Sequence, residues 1–340
     1  MGCDLRSDNV LGASPEITEA IVRAGGGTET SYGGDAFTKR VRERCSEIFE
    51  TSVDVFPVIT GSAANALSIS ALTPPWGAVF CHEHAHIHLD ECGGPEFFSG
   101  GAKLIPIAGA DGKLHARDLR ESIHDVAISK RTAAPACLSI TNVTEAGTVY
   151  TADEVRELCD VASGLGAHMD GARFANAVAA TGASPADLTW RAGIDILSFG
   201  GTKNGAMLAE VIVVFRKELA EEMAMRHHRS GHRPSKMRFI SAQLEAYLTN
   251  DLWLRNARHA NAMALRLASG LRAAGIEIVR RVDANIVFAR FGAELAERLT
   301  REGFLFSDWP IFGPDVYRLV TGFNTPAAEI DSLSRKCHEE

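Results

Sequence analysis

The amino-acid sequence predicts an α/β fold with two parts: a large domain built on a mixed, mostly parallel sheet, over residues 1–250, and a smaller α+β domain over residues 251–340. Three observations carry this. Short apolar runs alternate with helix-like segments from about residue 14 to 300, the pattern of strands joined by crossover helices. The pattern changes after about residue 236 to long amphipathic helix followed by a mixture of short strands and helices. The chain, at 340 residues, exceeds the usual size of one hydrophobic core.

The elements follow in order. Ser14-Pro15 opens a helix, with proline at the first helical position where its missing N–H costs nothing, and Gly25-Gly26-Gly27 ends it. Asp35 caps a second helix whose Phe37, Val41, Cys45 and Ile48 share one face. VDVFPVITG reads as a buried strand running into a helix that begins near Ser62. GAVFCH, ACLSITN, LGAHMD, IDILSF and EVIVVFR are further strands, and Thr151 with Glu154 forms a capping box for a helix ending at Gly164. The long helix after 236 breaks near Asn250-Asp251 and ends at Gly275. Strands over 277–291 and 317–322 and helices over 293–302 and 326–338 complete the small domain.

Composition narrows the class. A formal charge of −8 and a pI near 5.9 argue against a nucleic-acid or anionic-membrane surface, whose phosphates need an excess of Lys and Arg. The basic stretch RHHRSGHRPSKMR sits where a helix breaks. Seven scattered cysteines, with no C-x-x-C pair, indicate neither a disulfide framework nor a thiolate zinc site and suit a reducing compartment. The N-terminus lacks an apolar signal core, and no apolar run nears the ~20 residues that cross a bilayer. A cytoplasmic protein without membrane attachment is expected.

Two strand ends carry the chemistry. AHMDGAR places Asp170 and Arg173 after one apolar run, and SFGGTKNGA places Lys203 after another. Together they supply what a pyridoxal-phosphate enzyme needs: a lysine for the Schiff base and a carboxylate that keeps the pyridine nitrogen protonated. Separately, Asp170 could be a turn residue and Lys203 a solvated surface group. ITGSAANAL puts Gly61, Ser62 and Ala63 at a helix N-terminus, a cup for phosphate or simply a tight turn. Thr202 adds a hydroxyl beside Lys203.

In HEHAHIHLD, His82, His84, His86 and His88 alternate, so an extended segment would direct all four to one face. That is the basis of a rival reading, a metallohydrolase, although the further ligands such a site needs are not evident. One functional histidine in a loop is the simpler account, and no metal is expected. Arg318, in VYRLVTGF, is a candidate for a substrate carboxylate, since the arginine fork engages both oxygens. Ser7 could join it if the N-terminus folds back.

The ordered series DLRSDN, SYGGDAFTKRV, ITGSAAN, HAHIHLDECGG, MDGARFANA, GGTKNG and RLVTGF resembles the low-specificity L-threonine aldolases of the β-eliminating-lyase group, over nearly the whole chain. The resemblance implies a fold-type I pyridoxal-phosphate enzyme. It cleaves L-β-hydroxy-α-amino acids of the L-threonine, L-allo-threonine or L-phenylserine type to glycine and an aldehyde. Carried over by position, Lys203 is the Schiff-base lysine, Asp170 the pyridinium partner and His86 the histidine stacked on the ring. Gly61, Ser62 and Thr202 bind the phosphate, and Arg173 contacts the ring oxygen. Ser7, Arg173 and Arg318 hold the substrate carboxylate, and Arg238 reaches the phosphate of a neighbouring subunit. A homodimer or homotetramer with shared sites follows.

His86 is also a candidate base for the β-hydroxyl, because imidazole titrates near neutral pH. Two departures touch substrate identity: Thr141-Asn142-Val143-Thr144-Glu145 replaces an E-N-T-H-type strand end, and a second active-site histidine is not evident. Other carbanion reactions on the same cofactor, β-elimination or aldol-type transfer among them, stay open. So does a cofactor-bearing protein without catalysis.

Overall fold

The computed structural model describes residues 2–129 and 131–338. Seven strands form the larger sheet: β1 (Asp54–Val58), β2 (Gly77–His82), β3 (Lys103–Ile107), β4 (Ala134–Thr141), β5 (Gly166–Gly171), β6 (Ile196–Gly200) and β7 (Glu210–Val214). Their order is β1-β7-β6-β5-β4-β2-β3. Only β7 runs antiparallel to its neighbours, so the carboxyl ends of the other six and the amino end of β7 lie along one edge.

Every position of β2, β5, β6 and β7 is buried, because helices cover both faces of the sheet. Leu197 and Phe199 point to one layer with Phe49, Phe174 and Trp253. Ile196 and Ile212 point to the other, with Leu67, Ile69 and Val79. Each such side chain removed from water stabilises the fold by about 1.5–3 kcal/mol. The helix Gly61–Leu72 is buried over its last ten residues, and its N-terminus opens on the sheet edge just described.

Several expectations meet their elements closely. Helices occupy Pro15–Ala24 and Ala36–Ile48, the second capped by Asp35, whose side chain accepts the Thr38 N–H at 2.8 Å. The capping box at Thr151 and Glu154 is formed, and the long helix is interrupted at Asn250 and Asp251, both at positive φ. The helix after β1 begins at Gly61, capped by Thr60, one residue before the expected start near Ser62. Strand β3 escaped the sequence reading: its exposed positions and Pro106 suit an edge strand, where a missing N–H is tolerated.

A second sheet holds β8 (Glu277–Ile278), β9 (Ile286–Arg290), β10 (Ser307–Asp308) and β11 (Val316–Val320), antiparallel in the order β10-β11-β9-β8. Its core contains Leu267, Leu271, Val287, Leu319 and Leu333. The helix Leu252–Ala273 ties the two halves, burying Trp253 in the large core and Leu267 in the small one. The N-terminal segment belongs structurally to the small sheet. Leu5 donates to the Leu305 carbonyl and accepts from the Val320 N–H, each at 2.7 Å. That docking delivers residues 7–9 to the sheet edge.

Candidate active site

The edge gathers its polar residues into a cavity of about 220 Å³. From β5 comes Asp170, buried, with Oδ1 accepting the Ala172 N–H at 3.0 Å and Oδ2 accepting from Asn65 Nδ2 at 3.0 Å. From β6 the chain passes through Gly200 and Gly201 into a single turn, Thr202–Asn204, that carries Lys203. A Cβ at Gly200 would lie 2.3 Å from the Ala172 carbonyl oxygen, so glycine alone permits this approach of the two strand ends. Asn204 anchors the turn by donating to Tyr247 Oη and to the Trp253 carbonyl, both at 2.8 Å. Lys203 thereby faces the cavity with Asp170, Ser62, Asn65, His86 and Glu145.

From β1 comes the helix N-terminus. Thr60 Oγ1 accepts the Ala63 N–H at 3.1 Å, while Gly61 and Ser62 begin the first helical turn and line the cavity. A Cβ built on Gly61 would meet no atom within 4 Å, so the space before these N–H groups is open. The first N–H groups of a helix favour an anion. Thr202 Oγ1, expected to join them, accepts the Ala209 N–H at 3.2 Å beside Glu210. Glu210 begins β7 and accepts the Gly201 N–H at 2.8 Å, and burial pushes its carboxyl pKa up.

The histidine run is not extended. β2 ends at His82, whose Nε2 lies 3.0 Å from the Gly109 carbonyl oxygen, and His86–Leu89 is a short helix. The expectation of four imidazoles on one face is corrected: alternation requires continued strand, and the chain turns. Among the described residues no group of three or more His, Cys, Asp or Glu side chains is placed to hold a metal ion. His86 enters the cavity, with Nδ1 2.8 Å from Glu91 Oε1. That hydrogen bond holds the His86 pKa above its ordinary value, and burial pushes the Glu91 carboxyl up.

Arg173 and Arg318 come from different halves of the fold, and Arg318 lies within reach of the Arg173 charge. Arg173 is buried and pairs through two nitrogens with Asp8, Nε to Oδ2 at 2.7 Å and Nη2 to Oδ1 at 2.9 Å. Asn285 Nδ2 also donates to Asp8 Oδ2, at 3.1 Å. Arg318, on β11, lies over the Trp309 ring at 4.7 Å, and its buried Nε has no hydrogen-bond partner. Burial, then the nearby Arg173 charge, lowers the Arg318 pKa. Ser7 caps the turn Asp8–Val10, accepting the Asn9 N–H at 3.2 Å, and Asn9 reaches the cavity. The structure does not bring Arg238 to this cavity within the chain. It begins the helix Arg238–Leu248 and donates from Nη1 to the Gly27 carbonyl at 3.3 Å.

Sequence reasoning missed Asp8, Asn65, Glu91, Glu145 and Glu210. Asn65 lies one helical turn beyond Gly61, on the face that meets the strand ends, which is a readable signal. Asp8 depends on long-range partners and gives none locally, and Glu91 meets His86, five residues away, only because the chain turns after β2. A larger cleft of about 590 Å³ lies elsewhere, lined by Phe97, Phe98 and Arg226, without any such convergence of strand ends.

The chain is similar to known proteins along most of its length. The family model described as beta-eliminating lyase matches residues 4–294. A low specificity L-threonine aldolase of Pseudomonas sp. (strain NCIMB 10558) is 40% identical over 335 residues, covering 96% of this chain and 95% of that protein. A solved Leishmania major threonine aldolase superposes with a TM-score of 0.92 at 25% identity, covering 98% of each chain. A structure of SPT with PLP internal aldimine shares the fold, with a TM-score of 0.71 at 16% identity, covering 99% of this chain and 86% of that one. With the match spanning both the lysine turn and the aspartate strand end, the chain belongs to the beta-eliminating lyase family.

Proposed function

We propose that this protein is a pyridoxal 5'-phosphate-dependent aldolase that cleaves L-β-hydroxy-α-amino acids, of the L-threonine, L-allo-threonine and L-phenylserine type, to glycine and an aldehyde. The observation that carries this is the placement of Lys203 and Asp170 in one cavity with an open helix N-terminus at Gly61. Pyridoxal phosphate, when bound, supplies an electron sink for the carbanion left at Cα.

The residues present fit that group. Lys203 is the amine that holds its carbonyl carbon, and Asp170 the carboxylate that keeps a proton on its ring nitrogen. Asn65 and the Ala172 N–H fix both Asp170 oxygens for that task. Gly61 and Ser62 would offer N–H groups and a hydroxyl to its phosphate, and Thr202 lines the same cavity. His86, which lines the cavity, would cover the ring, and Arg173, held by Asp8, would contact its ring oxygen.

Arg318, with its unpartnered Nε, takes the substrate α-carboxylate, helped by Arg173 and Ser7. Holding that carboxylate fixes rotation about the Cα–N bond and so decides which Cα bond breaks. Arg238, outside the cavity and with an unpartnered buried Nε, is assigned to the phosphate of an adjoining subunit in a homodimer that pairs as a tetramer. Seven unpaired cysteines suit the cytosol. Among the described residues no helix is long and apolar enough to cross a membrane.

The test is a visible spectrum of the purified protein, followed by L-threonine or L-phenylserine and assays for glycine and the matching aldehyde. Cofactor colour with both products supports the reading. Ammonia and a keto acid would move it to β-elimination, and a colourless protein that pyridoxal phosphate cannot reconstitute would overturn it.

A further inference from the structure

One segment of the site is built with unusual rigidity. After β4 the chain makes a turn in which Gly147 N–H donates to the Thr144 carbonyl at 2.9 Å, and Thr144 N–H donates to the Thr148 carbonyl at 2.9 Å. The hydroxyls of Thr144 and Thr148 lie 2.8 Å apart, and Val149 N–H donates to Asp283 Oδ2 at 3.1 Å. Gly147, at φ +79°, packs so closely that an added Cβ would sit 3.1 Å from Ile286 Cβ. Residues 142–144 and 146–150 are all buried, and Glu145 alone is not. A turn pinned on every side therefore presents one side chain, and that side chain lines the cavity.

The carboxylates of the cavity differ in their commitments. Asp170 accepts from Asn65 and Ala172, and Glu210 accepts from Gly201. Glu145 makes no hydrogen bond or ion pair among the described residues. Its charge acts on His86 and on both Arg173 and Arg318. It thus acts both on the histidine that lines the cavity with it and on the guanidinium pair assigned to the α-carboxylate. An amino acid held between those groups would carry its β-carbon past this side chain. His86 is the less suitable proton acceptor, because Nδ1 is tied to Glu91 and the ring is held toward its protonated form.

We propose that Glu145 is a catalytic residue that accepts the β-hydroxyl proton of the substrate, a role that rests on the aldolase reading above. The hydroxyl proton passes to the Glu145 carboxylate, and the O–H electron pair becomes the second bond of the aldehyde carbonyl. The Cα–Cβ bond breaks, with its pair left at Cα. Cα then gains one proton, which balances the one taken from oxygen, and Glu145 releases its proton to solvent before the next turnover.

The experiment compares the cofactor-loaded wild type with Glu145→Gln and Glu145→Ala. Two activities are measured, cleavage of L-threonine or L-phenylserine and exchange of a glycine α-hydrogen with deuterated solvent. Glycine has no β-hydroxyl, so its exchange needs the fold, Lys203 and the cofactor but not this base. Glu145→Gln should cleave about 10²–10⁴-fold more slowly, the usual range for a positioned acid–base group, while glycine exchange stays near the wild-type rate. Added formate should restore part of the cleavage rate of Glu145→Ala. Cleavage by Glu145→Gln at the wild-type rate, or exchange falling as far as cleavage, overturns the proposal alone. A wild type that exchanges glycine yet cleaves no β-hydroxy amino acid overturns the aldolase reading, and this role with it.

Discussion

His86 Nδ1 lies 2.8 Å from Glu91 Oε1, and that same oxygen accepts from Asn65 Nδ2, which also donates to Asp170. A single amide thus bridges the carboxylate assigned to the cofactor nitrogen and the carboxylate that orients the histidine. The Glu91 hydrogen bond raises the His86 pKa, so its stabilisation is fully present below the ordinary value of 6.5 and is lost as pH rises through the folded value. A Glu91→Gln variant should titrate His86 at lower pH by NMR. Its stability deficit, on the order of 1.5–3 kcal/mol for a charged hydrogen bond, should be largest below pH 6.5 and shrink in alkali. A deficit that grows with pH would contradict the pairing.

Asp8 joins three parts of the chain. It meets Arg173 from β5's end, Asn285 from before β9, and its own segment is docked on the small sheet. Burial pushes the Asp8 carboxyl up, but Arg173, Lys203 and Asn285 together more than offset this and hold its pKa low. Removing one partner of such a buried pair leaves an uncompensated charge, so Asp8→Ala should cost about 3–5 kcal/mol in denaturant unfolding. It should also weaken amino-acid binding, since Arg173 loses its orientation. A loss under 1 kcal/mol, with affinity unchanged, would show the pair to be idle.

What the sequence displayed follows from how local each signal is. Asp170 and Lys203 were legible because an apolar run followed by a polar residue marks a strand end, and parallel strands end at one edge. The capping box at Thr151 and the break at Asn250 were legible for the same reason. The histidine run misled because alternation in HEHAHIHLD predicts a side only while the backbone stays extended, and it leaves strand geometry after His82. Asp8 was invisible because its partner Arg173 is 165 residues away, and Glu91 because Asn65 is 26 residues away and nearby His86 meets it only once the chain has turned out of the strand. Glu145 stood in the sequence as a departure. Its exposure to the cavity comes from burial of its neighbours.

Lys203 and Arg318 should separate by phenotype. Lys203→Ala removes the amine assigned to the cofactor, so the visible absorbance of the holoenzyme should disappear or change form. Arg318→Ala leaves that amine in place but removes the guanidinium with the unpartnered Nε. Colour should persist while the spectral response to glycine shifts to much higher concentration, by about 10–100-fold for a lost charged contact worth about 1.5–3 kcal/mol. Unchanged colour in Lys203→Ala would remove that lysine from its assigned role.

His168 makes an acid sensitivity that is independent of the cofactor. It sits wholly buried in β5, with Nδ1 2.9 Å from Ser139 Oγ on β4 and Nε2 2.9 Å from Ser198 Oγ on β6. Burial pushes its pKa down to about 4 from an ordinary value of 6.5. Between those values the unfolded chain binds a proton that the native chain excludes, so stability rises with pH across the window and falls on acidification. By about pH 5 the loss should reach about 2 kcal/mol relative to neutral pH. His168→Asn retains polar groups facing both serines but cannot titrate there, so its unfolding midpoint should fall less than that of the wild type over the same interval. Equal acid slopes in the two proteins would mean that His168 takes up its proton in the folded sheet as readily as in the unfolded chain, and would overturn its assignment as the acid-sensitive group.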